Sequence, residues 1–311
     1  MSTGTIILLG AFAGFTIYLG LPLAFLKRAP QRLKTFANML ATGVLVFLFF
    51  DVVSKGSEPI NSAIETLRDK HTGATTVFAE VGLMVLGFFI GLLGLVYFNS
   101  YVIARYKPKK QVIVETGTPD VEPVLVGAVA SKAAMEARGE RVQTVKAPNV
   151  TATVIPSVSV PSPMLLSLMI AVGIGLHNFS EGLAIGQSAV TGAISLATIL
   201  IIGFGLHNMT EGFGIAGPLT STEKVSWKFI LLLGLIGGGP TFLGTMIGMA
   251  FQSDLLFILF LALAAGSILY VIVELLAVAK RTTSNQIIMW GLFVGFLLGY
   301  LTDLIVTYAG A

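Results

Sequence analysis

Residues 163–189 read PMLLSLMIAVGIGLHNFSEGLAIGQSA. A helix rises about 1.5 Å per residue, so this stretch is long enough to cross a hydrocarbon core of about 30 Å. Its only ionisable residues are His177 and Glu181, which with Asn178 form a polar centre in an otherwise largely apolar run. Ionisable groups at that depth are costly and by default mark function. The centre recurs: Gly175-Leu176-His177-Asn178-Phe179-Ser180-Glu181-Gly182 is echoed thirty residues on by Gly205-Leu206-His207-Asn208-Met209-Thr210-Glu211-Gly212, inside a second apolar stretch. Two of the three histidines in the chain lie in this pair.

The composition around the pair sets the class. Hydrophobic residues make up 55% of the 311 and charged residues 11%, too few to cover a soluble surface of this size. The chain reads as an all-α polytopic membrane protein, and its 35 glycines suit helices that pack closely in lipid. The net charge of +3 belongs to loop lysines and arginines, so the expected partner is membrane lipid and not nucleic acid. The absence of cysteine excludes disulfides and thiolate metal sites.

About eight spans follow from the apolar runs: Gly4–Leu26, Phe36–Val53, Phe78–Ile103, Pro163–Ala189, Ile194–Leu219, Trp227–Phe251, Asp254–Val278 and Gln286–Tyr308. Basic clusters fall after the first span (Lys27, Arg28, Arg32, Lys34), after the third (Arg105, Lys107, Lys109, Lys110), before the sixth (Lys224, Lys228) and after the seventh (Lys280, Arg281). The positive-inside bias puts all of these in the cytoplasm and both termini outside. Residues 54–76, with balanced charge, form an outer loop. Residues 106–162 are rich in Pro, Val, Thr and charge, and read as a largely disordered cytoplasmic loop with a short helix around Ala128–Arg141. The organisation is therefore 1–105 with three spans, 106–162 as the loop, and 163–311 with five, within one integral membrane domain.

On helices, His177 and Glu181 share a face at i and i+4, as do His207 and Glu211. The fourth and fifth spans run antiparallel with both histidines near the midplane, so Glu181 lies one turn outward of its histidine and Glu211 one turn inward. Imidazole nitrogens and carboxylate oxygens in such a ladder suit Zn²⁺, Fe²⁺, Mn²⁺ and their neighbours, and two carboxylates neutralise a dication. Asn178 and Asn208 add amide oxygens on an adjoining face. Ser180 and Thr210 read as hydroxyls that bond back to a helix carbonyl. Asp51 in the second span and Glu274 in the seventh are candidates for the two ends of a cation path. Glu80, Asp254 and Asp303 read as boundary or capping residues, and His71 as a solvated histidine.

At these residues the chain resembles the ZIP (Zrt/Irt-like) family of metal transporters, in the branch with a His-Asn-x-x-Glu-Gly phrase in both the fourth and fifth spans. His177, Asn178, Glu181 and Gly182 match the first phrase, and His207, Asn208, Glu211 and Gly212 the second. The seventh-span segment from Ala265 to Leu276, with Glu274, looks like the corresponding family segment. The resemblance implies a 3+2+3 arrangement in which spans one to three and six to eight form inverted repeats around the fourth and fifth. It also implies transport of divalent metal toward the cytoplasm, with zinc first and iron, manganese, cobalt, nickel or cadmium next, across the plasma (cell inner) membrane. A homodimer is a further expectation, and no cofactor beyond the transported ion is expected.

Two departures qualify the match. The family's proline before each glutamate is replaced by Ser180 and Thr210, and its sixth-span Glu-Pro pair reads Gly239-Pro240. The missing glutamate bridges two metals in some relatives, so one principal ion is expected here. The competing reading, an intramembrane metal-dependent hydrolase, lacks a His-Glu-x-x-His sequence. No Gly-x-x-x-x-Gly-Lys-Ser/Thr phosphate loop is present for primary pumping.

Overall fold

A computed structural model describes residues 2–25, 29–105, 111–116, 143–147, 150–155, 163–190, 194–221, 225–251, 253–280 and 284–308. The helices are α1 (Thr3–Phe15), α2 (Ile17–Gly20), α3 (Gln31–Lys70), α4 (Ala74–Arg105), α5 (Pro163–Val190), α6 (Ile194–Ala216), α7 (Trp227–Ala250), α8 (Asp254–Lys280) and α9 (Asn285–Tyr308). Among the described residues seven helical segments are long and apolar enough to cross a membrane, with α1, α2 and the turn after them counting as one. The 23 residues of α6 give it a length of roughly 34 Å, also a crossing length.

The chain divides into two compact units, residues 1–99 with 162–311, and residues 100–161. The second holds three short antiparallel strands, β1 (Gln111–Thr116), β2 (Gln143–Ala147) and β3 (Val150–Ile155), in the order β1-β3-β2. Gln111 pairs with Ile155, and Gln143 with Val154. The helix expected around Ala128–Arg141 lies outside the described residues.

Two helix boundaries differ from expectation. The first span is not one helix: Thr16 Oγ1 donates to the Ala13 carbonyl at 2.6 Å where α1 stops, and a 3-10 turn over Leu21–Phe25 follows α2. Pro22 has no N–H for a continuing α ladder, which favours that turn. The second span does not end at Val53. The helix runs 40 residues from Gln31 to Lys70, about 60 Å, so most of the expected outer loop is helix. Ser57, Ser62 and Thr66 bond back to carbonyls four residues earlier, and Lys55 pairs with Asp51 one turn before it at 2.8 Å. The helix closes at His71, whose φ of 54° is the left-handed cap conformation, and Gly73 at φ 90° completes the turn into α4.

Glycine sets how the helices meet. A Cβ on Gly182 would meet the Thr241 carbonyl of α7, and one on Gly244 would meet the Phe179 carbonyl of α5, so α5 and α7 touch backbone to backbone. Gly212 of α6 likewise crosses Gly20 of α2, where a Cβ would strike the Ile17 carbonyl. The closing glycine of each repeated phrase is therefore a helix-crossing point. It fixes the two phrase-bearing helices against α7 and α2. Around them a core that includes Ile17, Leu45, Met169, Ile170, Ile215 and Leu233 is buried.

Gly212→Ala is expected to destabilise the protein by about 1–3 kcal/mol through overpacking, read as a lower melting temperature in detergent. Gly82→Ala, where a Cβ meets nothing within 4 Å, is expected to leave the melting temperature unchanged or raise it slightly.

Candidate metal centre

The two phrases fold alike. Ser180 Oγ donates to the His177 carbonyl at 2.6 Å and Thr210 Oγ1 to the His207 carbonyl at 2.7 Å, each three residues back, as the sequence reading expects. These bonds keep both hydroxyls on their own helices and off the space between them. Each histidine and its glutamate are one turn apart on the same helix, so the antiparallel packing of α5 on α6 decides which groups meet.

Glu181 stands between the histidines. Its Oε1 is 3.1 Å from His177 Nε2 and also pairs with His207 Nε2 of the other helix. The imidazole centroids are 6.3 Å apart. One ligand atom from each of His177, Glu181 and His207 lies within 4.8 Å of the others, and this is the single such group of three among the described residues. Glu211, fully buried, approaches from the far side with Oε1 3.8 Å from His177 Nε2. The four side chains are therefore a compact triad with an adjacent carboxylate, tighter than an evenly spaced ladder. The physical cause is the crossing of the helices, which turns Glu181 toward both rings.

Lone pairs are unusually idle here. Thirteen buried side-chain nitrogen and oxygen atoms among the described residues have no hydrogen-bond partner, and seven belong to the two phrases: both ring nitrogens of His177, Asn178 Oδ1, Glu181 Oε2, Asn208 Oδ1 and both oxygens of Glu211. Buried polar groups in native proteins are ordinarily paired, because an unpaired one costs about 1–3 kcal/mol and a charged one more. An oxygen- and nitrogen-rich cluster of acceptors with net negative charge is what a divalent cation satisfies.

The asparagines behave differently from the His/Glu group. Asn178 Nδ2 donates to the Gly237 carbonyl of α7 at 2.9 Å, and Asn208 Nδ2 to the Ala13 carbonyl of α1 at 3.1 Å. Each ties its helix to a neighbour and keeps its Oδ1 free. Those partners are backbone carbonyls, for which a sequence carries no signal. The buried Thr241 hydroxyl, also without a partner, sits beside the Gly182 crossing and was not singled out in the sequence. Asp51 is ion-paired to Lys55 on α3, and Glu274 is half-buried on α8; neither joins the triad. His71 is exposed at the α3 cap.

Residues 1–303 match the protein family described as ZIP Zinc transporter. The zinc transporter ZupT of Oceanobacillus iheyensis is 29% identical to the chain over 297 residues, which cover 94% of this chain and 94% of its own.

Asn208→Ala removes one of the two side-chain donors to the Ala13 carbonyl, the other being Thr16 Oγ1. It is expected to cost about 0.5–1.5 kcal/mol of stability, seen as a lower melting temperature both in chelator and with metal added. His207→Ala removes a partner of the buried Glu181 carboxylate, so it is expected to lower the melting temperature in chelator as well and, in addition, to reduce the extra thermal stability that added metal confers.

Proposed function

The chain belongs to the ZIP zinc-transporter family, a multi-pass integral membrane protein that transports divalent metal ions and is not an enzyme, and from that premise we propose that the ion crosses through one midplane site made by His177, Glu181, His207 and Glu211. The observation that carries this reading is the shared carboxylate: Glu181 faces both histidines while Glu181 Oε2 and both oxygens of Glu211 are buried without a hydrogen-bond partner. A dication between these groups balances the two carboxylates and takes up their unpartnered oxygens, which offsets the cost of burying them.

Zinc is the first cation in this reading, because mixed imidazole and carboxylate ligands suit it, with iron, manganese, cobalt, nickel and cadmium as competitors. The free Oδ1 atoms of Asn178 and Asn208 are outlying oxygens with at most a weak second position. One principal ion is favoured further by Gly239, which brings no carboxylate where the family's sixth span carries one. Asp51, within electrostatic reach of His177, and Glu274 stand at the two ends of the path.

The remaining parts of the reading rest on the charge bias along the chain and on the family. Movement is toward the cytoplasm across the plasma (cell inner) membrane, both termini are outside, and residues 106–162 form a cytoplasmic segment between the first three spans and the last five. A homodimer belongs to the same reading, and the mass of the detergent-solubilised protein tests it.

His177→Ala and Glu211→Ala are each expected to lower the initial rate of zinc uptake into proteoliposomes by roughly tenfold or more. Undiminished uptake in both removes the proposed site. Elemental analysis of the metal-loaded wild type is expected to give one tightly held ion per chain, and two would overturn the single-ion reading.

A further inference from the structure

A cavity of about 550 Å³ lies where α3 nears its end, α4 begins, α5 ends and α8 begins. Among the described residues its wall includes three carboxylates, Glu58, Glu80 and Asp254, and no lysine, arginine or histidine. Two nearby basic residues of α3 are paired elsewhere, Lys55 with Asp51 and Arg68 with Asp69. Glu80 is the unusual member: it is 5% exposed, lines the cavity, and its Oε2 is buried with no hydrogen-bond partner. Asp254 is near enough to add like-charge repulsion to it. A buried carboxylate facing a second one, with no cationic side chain on the wall, lacks the compensation that burial of charge demands.

We infer that this cavity is a second divalent-cation site, which holds a hydrated ion ahead of the central site. The lining supplies only oxygen donors for a cation, from the carboxylates and from hydroxyls such as those of Ser62 and Thr66, and oxygen donors select hard, water-retaining divalent ions over ions that seek nitrogen. The three carboxylates do not gather as closely as His177, Glu181 and His207 do, so bridging water fills out the shell and the affinity is low. Gln187 joins the cavity wall to the transport helix: it is six residues beyond Glu181 on α5, about 9 Å along the axis. The cavity therefore opens on the Glu181 side of the central site, the side read as outside. It concentrates cations there by its field. The loading role rests on the central-site reading, whereas the binding site itself does not.

The test uses the full chain in nanodiscs with the central site disabled by Glu181→Gln and His207→Ala, and Mn²⁺ as an electron-paramagnetic-resonance probe. One weak Mn²⁺ per chain is expected, with a dissociation constant of about 0.1–1 mM. Glu80→Gln should weaken it by roughly tenfold, and the exposed pair Glu58→Gln and Asp254→Asn should do the same without altering a buried position. In protein with an intact central site, the exposed pair should raise the half-saturating zinc concentration for uptake several-fold at low salt, and less at high salt. Absence of Mn²⁺ from the disabled protein, retention of Mn²⁺ after the cavity substitutions, or an unchanged half-saturating concentration would overturn the inference. Because Mn²⁺ is read with the central site disabled, that measurement stands whether or not His177 and Glu211 carry transport.

Discussion

Burial of Glu181 between two imidazoles is the constraint on which the rest of the structure depends. A carboxylate at mid-bilayer is tolerable only when partners replace its water, and here the partners come from two different helices. That requirement forces α5 and α6 to face each other at one depth. It also leaves a surplus of acceptor atoms, with Glu211 fully buried and both its oxygens unpartnered. A protein that needed only stability would do better with apolar side chains at these positions. The surplus is what the proposed cation site accounts for.

The repeated phrase divides its labour by position. Its histidine and glutamate face the partner helix, its hydroxyl closes on its own helix, its asparagine reaches outward to a backbone carbonyl, and its glycine is the crossing point with another helix. The histidines and glutamates are thus held by contacts on the adjoining faces of their helices, to α7 in one case and to α1 and α2 in the other. Rigid support on the adjoining faces is what lets the histidines and glutamates stay within about half an ångström of a fixed geometry. The same contacts link the site to the helices that would have to shift if access alternates between the two sides of the membrane.

Much of the fold was legible in the sequence because the bilayer is a demanding solvent. Runs of about 20 apolar residues must be helices there, since no other open backbone satisfies its own hydrogen bonds. The ends of helices were less legible, because water accepts helix and loop alike. Hydropathy falls after Val53, yet α3 continues to Lys70 through hydroxyl and ion-pair contacts that hydropathy does not report. The break at Thr16 was hidden for the opposite reason, since an apolar run looks the same whether it is one helix or a helix, a kink and a 3-10 turn.

The sequence by itself determined the class and about how many apolar crossings the chain has, and it picked out the polar groups inside the apolar helices, because composition and spacing act locally along the chain. It also showed that His177 shares a face with Glu181 and His207 with Glu211, which is a property of any helix. Only the tertiary structure decided that Glu181 serves both histidines while Glu211 stands beside them, that the two asparagines turn away to hold neighbouring backbones, and that Glu58, Glu80 and Asp254 share one cavity although 196 positions separate the first from the last. Those relations depend on where helices cross and how each is rotated about its axis. Glycine contacts such as Gly182 with α7 and Gly212 with α2 set that rotation, and it has no counterpart in the order of residues along a single helix.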